Sequence, residues 1–278
     1  MPKVTSLHIY PVKGCAGIEV SGVRLDAQGP LLDRRFMVVD HNGRFLTQRE
    51  LPSMALVRTK IAPTALVLEA TGMPKLQVPL ASRSSARKLV EIFGDQVSAE
   101  PTGRSAADWL SEFLGVACEL VRFADEAVRG VDPDYAPAES RVGFADAFPI
   151  LLISEASLAG LNARLQQALP MNRFRPNIVV GECDAHAEDT WRRLRIGDVP
   201  VDVLKPCSRC TVPTVDQLTG VTGKEPSATL ARYRRKNNKV YFGQNCLHRE
   251  LGMIRVGDEV QVLETQEPWS FDDVSAGP

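Results

Sequence analysis

Short β-type runs follow one another at irregular spacing along this chain, and only a few stretches carry helical signals. That pattern excludes the regular strand-helix period of a doubly wound sheet and favours an α+β, β-barrel-like architecture. Runs at residues 4–10, 22–26, 36–40, 45–47, 55–61 and 65–69 are each bounded by turn residues. His41-Asn42-Gly43 predicts a hairpin turn, because Asn-Gly tolerates the positive φ values such turns require. Ser105 is the expected N-cap of a helix carrying Trp109, Leu110, Phe113 and Leu114, with Gly115 as its stop and a strand over 118–123 after it. The turn-rich Asp132-Pro133-Asp134-Tyr135-Ala136-Pro137 suggests a boundary just before it, giving units 1–124 and 125–265 and a tail 266–278. In the second unit the apolar run 148–153 leads into Ser154, an expected N-cap, with Glu155 in the first turn and Leu158, Leu161, Leu165 and Leu169 as the apolar stripe. Further strands are expected at 178–180, 199–204, 240–242 and 259–263, with a turn at Val256-Gly257-Asp258, and the polar tail is expected to fray.

Charge narrows the partner classes. Lys and Arg number 33 against 34 Asp and Glu, so a net charge of -1 gives no general electrostatic reason to bind nucleic acid or an anionic membrane. Any anion site must be local. No segment approaches the roughly 18 apolar residues of a membrane span, the densest apolar core being Ile150-Leu151-Leu152-Ile153. Lys3, His8 and Lys13 interrupt the first run before a signal-peptide core can form, so a cytoplasmic protein is expected, its six cysteines held as thiols.

Several motifs are absent or fail on spacing. Gly220-Val221-Thr222-Gly223-Lys224-Glu225 is too short for a phosphate loop and lacks Ser or Thr after Lys224, while G-x-G-x-x-G after a strand and G-x-S-x-G do not occur. Cys207-Ser208-Arg209-Cys210 is the one clustered cysteine pair. It is open to four readings: half a zinc site, a thiol-disulfide couple, a ligand-bearing loop, or two merely buried thiols. Its flanking runs imply a strand-loop-strand setting, whereas a thioredoxin-like motif opens a helix. Lys205 and Arg209 flank the thiols and would favour a thiolate, the form that ligates soft metals. Elsewhere cations recur at Lys13, Arg34-Arg35, Arg49 and Arg175; if they converge they make an anion pocket, and taken singly each reads as a surface charge. Glu50 and Asp216 lie near these segments and read as solvated carboxylates.

Eight ordered motifs carry a resemblance: Tyr10-Pro11-Val12-Lys13-Gly14, Asp33-Arg34, Phe144-Ala145-Asp146-Ala147-Phe148-Pro149, Ser154-Glu155-Ala156-Ser157-Leu158, Phe174-Arg175-Pro176-Asn177-Ile178, Lys205-Pro206-Cys207-Ser208-Arg209-Cys210, Phe242-Gly243-Gln244-Asn245 and Ile254-Arg255-Val256-Gly257-Asp258-Glu259-Val260. Together they resemble the MOSC superfamily, specifically the two-part proteins in which a β-rich MOSC N-terminal domain precedes a β-barrel-rich MOSC domain. Bacterial YcbX-type proteins and eukaryotic mitochondrial amidoxime-reducing components are of this kind. The resemblance implies a molybdenum cofactor (Mo-molybdopterin) and reduction of N-hydroxylated small molecules such as amidoximes, hydroxylamines and N-hydroxylated bases. It makes Cys210 the metal ligand and catalytic residue, with Cys207 a neighbour. It sets Lys13, Arg34, Arg175 and Arg209 near the cofactor, gives Asp146 the aminopterin edge, and adds Gly14, Ala145, Ala147, Ser208 and Asn245 as further contacts.

Three features depart from that pattern. Gly14 stands where close relatives often carry Ser, the Thr-Ala-Arg segment reads Thr47-Gln48-Arg49, leaving Arg49 as a candidate cofactor or substrate contact, and no ferredoxin-type cysteine cluster follows. Electrons are therefore expected from a separate flavoprotein, ferredoxin or b-type cytochrome, with no nucleic-acid or membrane partner. The rival reading is a carrier of molybdenum cofactor or sulfur without catalysis of its own, since fold alone does not fix function.

Overall fold

The computed structural model describes residues 1–81 and 85–272. Its largest element is a nine-stranded sheet ordered Val260–Thr265, Trp191–Ile196, Val199–Arg209, Lys239–His248, Ile150–Ser154, Ile178–Gly181, Lys3–Ile9, Ile18–Val20, with Arg235–Lys236 paired to Lys239–His248. Pairing is antiparallel except between Ile150–Ser154 and Ile178–Gly181. The sheet curls back on itself: Lys3 bridges Glu259, and the Val260 N–H donates to the Pro2 carbonyl at 2.8 Å. One face carries the apolar core of Val4, Leu7, Ile150, Leu152, Leu194, Val201, Cys246 and Ile254.

A four-stranded antiparallel sheet runs Phe36–Val39, Glu119–Phe123, Asp95–Pro101, Lys88–Ile92. Phe36–Val39 is buried on both faces, with Phe36 and Val38 in one core and Met37 and Val39 in another, which explains its unbroken apolar run. The first of those cores is sealed by the helix Arg104–Leu114 through Ala106, Trp109, Leu110 and Leu114. Strands Arg58–Ile61, Ala65–Glu69 and Leu76–Pro79 make a further small sheet. The opening strands, within the unit expected over 1–124, sit in the large sheet, and Gly22–Asp26 pairs with Met253–Arg255.

The α+β, strand-dominated class expected from the pattern is what the chain adopts, and four local expectations are corrected. Residues 45–47 form no strand: Phe45 makes a single bridge to Val39 beyond the turn at Gly43, whose φ is +81°. The run over 55–61 is divided, because Pro52 starts a 3-10 turn, Pro52–Leu56, before the strand Arg58–Ile61. The first helix begins one residue after Gly103, with no side-chain cap, so Ser105 lies inside it. In the second helix, Glu155–Asn162, Ser154 caps as expected by accepting from the Ser157 N–H. That helix stops before Leu165 and Leu169, where the Asn162 side chain bonds both main-chain groups of Leu169.

The tail is packed as far as it is described. Trp269 and Phe271 lie 5.9 and 6.0 Å from the Tyr241 ring, and the Asp272 N–H donates to Arg235 at 2.7 Å. The rest of the expected frayed segment, 273–278, lies outside the described residues. Among the described residues no helix is long and apolar enough to cross a membrane.

Candidate functional site

A cavity of about 570 Å³ opens between the sheets, and all eleven residues singled out in the sequence line it: Lys13, Gly14, Arg34, Ala145, Asp146, Ala147, Arg175, Ser208, Arg209, Cys210 and Asn245. Among the described residues its lining holds six cations, with Arg49 and Lys239 added to Lys13, Arg34, Arg175 and Arg209, against the single carboxylate of Asp146. A near-neutral chain has thus concentrated positive charge at one place.

The cations are held from distant segments. Arg34 and Arg175 both adopt left-handed backbone, φ +46° and +57°, a conformation uncommon for non-glycine residues and costly enough to be retained only where surroundings impose it. Their guanidinium carbons lie 4.3 and 4.2 Å from the centroid of the Tyr10 ring, whose hydroxyl donates to the Pro176 carbonyl. Arg34 is tied down by Asp33 at 2.6 Å and Asn177 at 3.0 Å; burial opposes its charge, but Asp33 prevails and holds its pKa above the usual value. Among the described residues Arg175 has no such acid. Burial brings its pKa down to about 10, and its Nη1, fully buried, has no hydrogen-bond partner among them.

Lys13 enters from the turn after Val12, its own N–H donating to the Phe36 carbonyl at 2.8 Å. The ammonium donates to the Phe144 carbonyl at 2.9 Å and pairs with Asp146. Burial lowers the Lys13 pKa while Asp146 pulls it back up. Asp146 opens onto the cavity, yet the walls are close enough for burial to oppose its charge; Lys13 first, then Arg34 and Arg209, overcome this and bring its pKa to about 2. Next to Lys13, Gly14 has φ +83°, and a Cβ there would stand 2.9 Å from the Met54 methyl. Its glycine is therefore explained by backbone and by packing.

The loop carrying Asp146 is held from behind by Arg129, which sequence reasoning did not single out. Arg129 is buried, donating to the carbonyls of Gly143, Ala145 and Asp146 at 3.0, 2.6 and 3.0 Å and to Asp95 at 2.7 Å.

Cys207-Ser208-Arg209-Cys210 lies at the end of the strand Val199–Arg209, in the strand setting expected, with a register shift between Pro206 and Ser208 that leaves Cys207 in a bulge. Cys210 is exposed and Cys207 half-buried, both as free thiols. Of the two flanking cations only Arg209 reaches a sulfur, donating from Nη1 to Cys207 at 3.0 Å. Burial raises the Cys207 pKa, with Arg209 opposing. The role expected for Lys205 is corrected: its ammonium sits 3.8 Å from the Tyr135 ring centroid, away from the thiols. Arg209 also donates from Nη2 to the Phe174 carbonyl at 2.8 Å, and its buried Nε has no partner among the described residues.

Glu50 pairs with Arg44 at 2.7 Å and Asp216 with Arg173 at 3.3 Å, and neither lines the cavity. Phe45, Phe93, Leu151, Asn177 and Lys239 do line it. Asn177 and the lining Phe174 were within a recognised motif; Phe93 and Lys239 had no signal beyond their own side chains.

Two orphaned guanidinium nitrogens, Arg175 Nη1 and Arg209 Nε, beside one exposed soft thiol are a donor set that fits an anionic, sulfur-ligated metal cofactor. The comparisons agree. The MOSC N-terminal beta barrel domain model matches residues 1–117, and the MOSC domain model matches 139–261. The chain is 36% identical to Mitochondrial amidoxime reducing component 2 of Bos taurus over 92% of its own length and 82% of that protein's. It is also 36% identical to Mitochondrial amidoxime-reducing component 1 of Homo sapiens, over 94% and 82%. Molybdenum cofactor sulfurase of Oryza sativa subsp. japonica is 34% identical over 86% of this chain but only 31% of that longer protein. The expectation of a cytoplasmic protein is overturned here, because the relatives covering most of the chain are named mitochondrial. MOSC proteins of this kind are associated with the molybdenum cofactor. The chain belongs to the MOSC superfamily, among the two-part proteins in which a MOSC N-terminal β-barrel domain precedes a MOSC domain.

Proposed function

We propose that this chain is a molybdenum-cofactor-dependent reductase of N-hydroxylated compounds, the class being amidoximes, hydroxylamines and N-hydroxylated bases. The observation that carries this reading is the exposed Cys210 in a cavity lined, among the described residues, by six cations against one carboxylate, two of the cations having buried unpartnered nitrogens. Relatives whose names state amidoxime reduction support it. The reaction breaks the substrate N–O bond, takes two electrons and two protons, and releases water. When bound, the cofactor supplies the two-electron oxygen-removal chemistry, as cofactors carry steps side chains cannot.

The chain's own residues bind and orient. Cys210 would ligate the metal, and Lys13, Arg34, Arg175 and Arg209 would hold the cofactor's anionic groups by charge-assisted hydrogen bonds. Gly14, Ala145, Ala147, Ser208 and Asn245 would contribute the remaining contacts from the cavity wall. Asp146, with its pKa near 2, is a carboxylate throughout the physiological range, so it accepts hydrogen bonds from an amino-pterin edge and donates no proton to the reaction. Electrons come from a separate electron-transfer protein.

The match to Molybdenum cofactor sulfurase favours a second reading, a carrier of cofactor or sulfur. Protein made in a cofactor-competent host separates the two. Molybdenum and pterin content near one per chain, with turnover of a simple amidoxime by a reduced viologen, supports the reductase. Full metal content without turnover of amidoxime or hydroxylamine supports the carrier, and absence of metal removes the role given to Cys210.

A further inference from the structure

Phe93 is badly suited to its position. It and Gly94 are the two residues joining strands Lys88–Ile92 and Asp95–Pro101, where Ile92 pairs directly with Asp95. Their φ values are +52° and +90°. A two-residue turn with both φ positive selects Asn, Asp or Gly, and a bulky aromatic there is strained. Nor does Phe93 serve the core, since it remains 48% exposed. A large apolar side chain that suits neither its turn nor a buried core, and that lines the cavity, is explained by what it presents to the cavity.

What it presents is an aromatic corner with charge above it. The Phe93 ring tilts against Phe45 at 4.7 Å between centroids. The Lys13 ammonium lies 5.1 Å from the Phe93 centroid and 5.5 Å from that of Phe45, and the Arg49 guanidinium carbon lies 6.0 Å from each. The two cations differ in their partners. Lys13 is answered by Asp146, which links this corner to the Arg209 end of the cavity. Arg49 has only a long bond from Nε to the Thr47 hydroxyl, 3.3 Å, and no carboxylate partner among the described residues, because its neighbour Glu50 is taken by Arg44. An open aromatic face beside an uncompensated guanidinium is matched by a planar arene bearing an anionic group.

We propose that Phe93, Phe45 and Arg49 form a second subsite, which takes the aromatic portion of the substrate and selects arenes carrying a carboxylate. This rests on the reductase reading and names the substrate class within it. The three groups line the same cavity as Cys210 but come from other segments of the chain, so the reacting N–OH end and the recognised aromatic end would be served by different segments.

The test uses holoprotein with three amidoximes: acetamidoxime, benzamidoxime and 4-carboxybenzamidoxime. In the parent, kcat/KM is expected to rise in that order. Phe93→Asn suits the left-handed turn better than Phe and keeps the fold. It should lower the benzamidoxime-to-acetamidoxime ratio of kcat/KM by about tenfold, through KM. Arg49→Gln should remove the carboxylate preference, again about tenfold in the ratio of the two aromatic substrates. Using ratios within each variant cancels any change in cofactor content. Ratios that stay at the parent value in either variant overturn the subsite. If the holoprotein reduces none of the three, the reductase reading fails, and the subsite is then decided by calorimetric binding of 4-carboxybenzamidoxime. Weakening of about tenfold in Phe93→Asn sustains it; equal affinity overturns it.

Discussion

Arg34 donates from Nη2 to the main-chain carbonyl of Arg175 at 3.3 Å, so two arginines 141 residues apart hold one another while both keep a left-handed backbone. Arg34 spends its charge on Asp33, and Arg175 is left with a buried nitrogen and no acid paired to it among the described residues. Such a group costs stability until an anion arrives.

Arg175→Met should therefore separate stability from function. Removing the buried unpaired charge, less the lost packing on Tyr10, is expected to stabilise cofactor-free protein by about 1 kcal/mol, a Tm rise of ~2–4 °C. The same variant should retain less than a tenth of the parent's molybdenum and pterin. A variant that is less stable than the parent without cofactor, or equally loaded with it, would show Arg175 to be a structural residue.

The two cysteines are expected to behave unequally. Cys210→Ser replaces the proposed soft ligand and should abolish turnover, at least 10³-fold, with loss of metal. Cys207→Ser keeps an acceptor for Arg209, exchanging sulfur for a hydroxyl oxygen, and should keep turnover within about tenfold of the parent. Metal content and viologen-dependent reduction of an amidoxime read both, and the reverse order of effects would exchange their roles.

Much of this candidate site was legible because its residues sit in the ordered motifs that carry the family resemblance: Lys13, Arg34, Asp146, Arg175 and Cys210 each fall within one. What the string could not carry was direction. Lys205 and Arg209 flank the thiols alike, yet a register shift on either side of Lys205 and Pro206 re-aims the strand, and only Arg209 meets sulfur. Phe93 was invisible for a different reason. The strands on either side of it, Lys88–Ile92 and Asp95–Pro101, were not anticipated, and nothing local says that the ring enters a cavity lined by segments tens of residues away. The strand Trp191–Ile196 was missed outright, because its three arginines hide the alternation of buried Trp191, Leu194 and Ile196.

Arg129 supplies a test of how the Asp146 loop is held. Replacing it by Met leaves the carbonyls of Gly143, Ala145 and Asp146 without their donor, and breaking such a buried charged network costs about 3–5 kcal/mol. Arg129→Lys keeps the charge but lacks the planar fork, so about half that loss is expected. Urea midpoints of the cofactor-free variants measure this. A methionine variant within 1 kcal/mol of the parent would mean that the loop stands without the clamp.

Acid should weaken the fold through His186. Burial first, then Arg234, brings its pKa down to about 4, with Asp189 opposing. The unfolded chain takes up that proton near pH 6.5 and the folded chain only near 4, so the unfolded state binds more protons across this window. Stability is therefore present above about pH 6.5 and declines as pH falls towards 4. His8 and His248, also lowered by burial, act in the same direction, while buried Glu188, raised by burial, acts against them. A single substitution isolates the His186 share. His186 has φ +63°, which Asn tolerates well, so His186→Asn removes the titration without straining the turn. Between pH 7 and 4.5 the parent should lose about 1 kcal/mol more than the variant, the full linkage being reduced by the partial exposure of the ring. Parallel unfolding free energies across that range would show that the ring is protonated as readily in the folded chain as in the unfolded one.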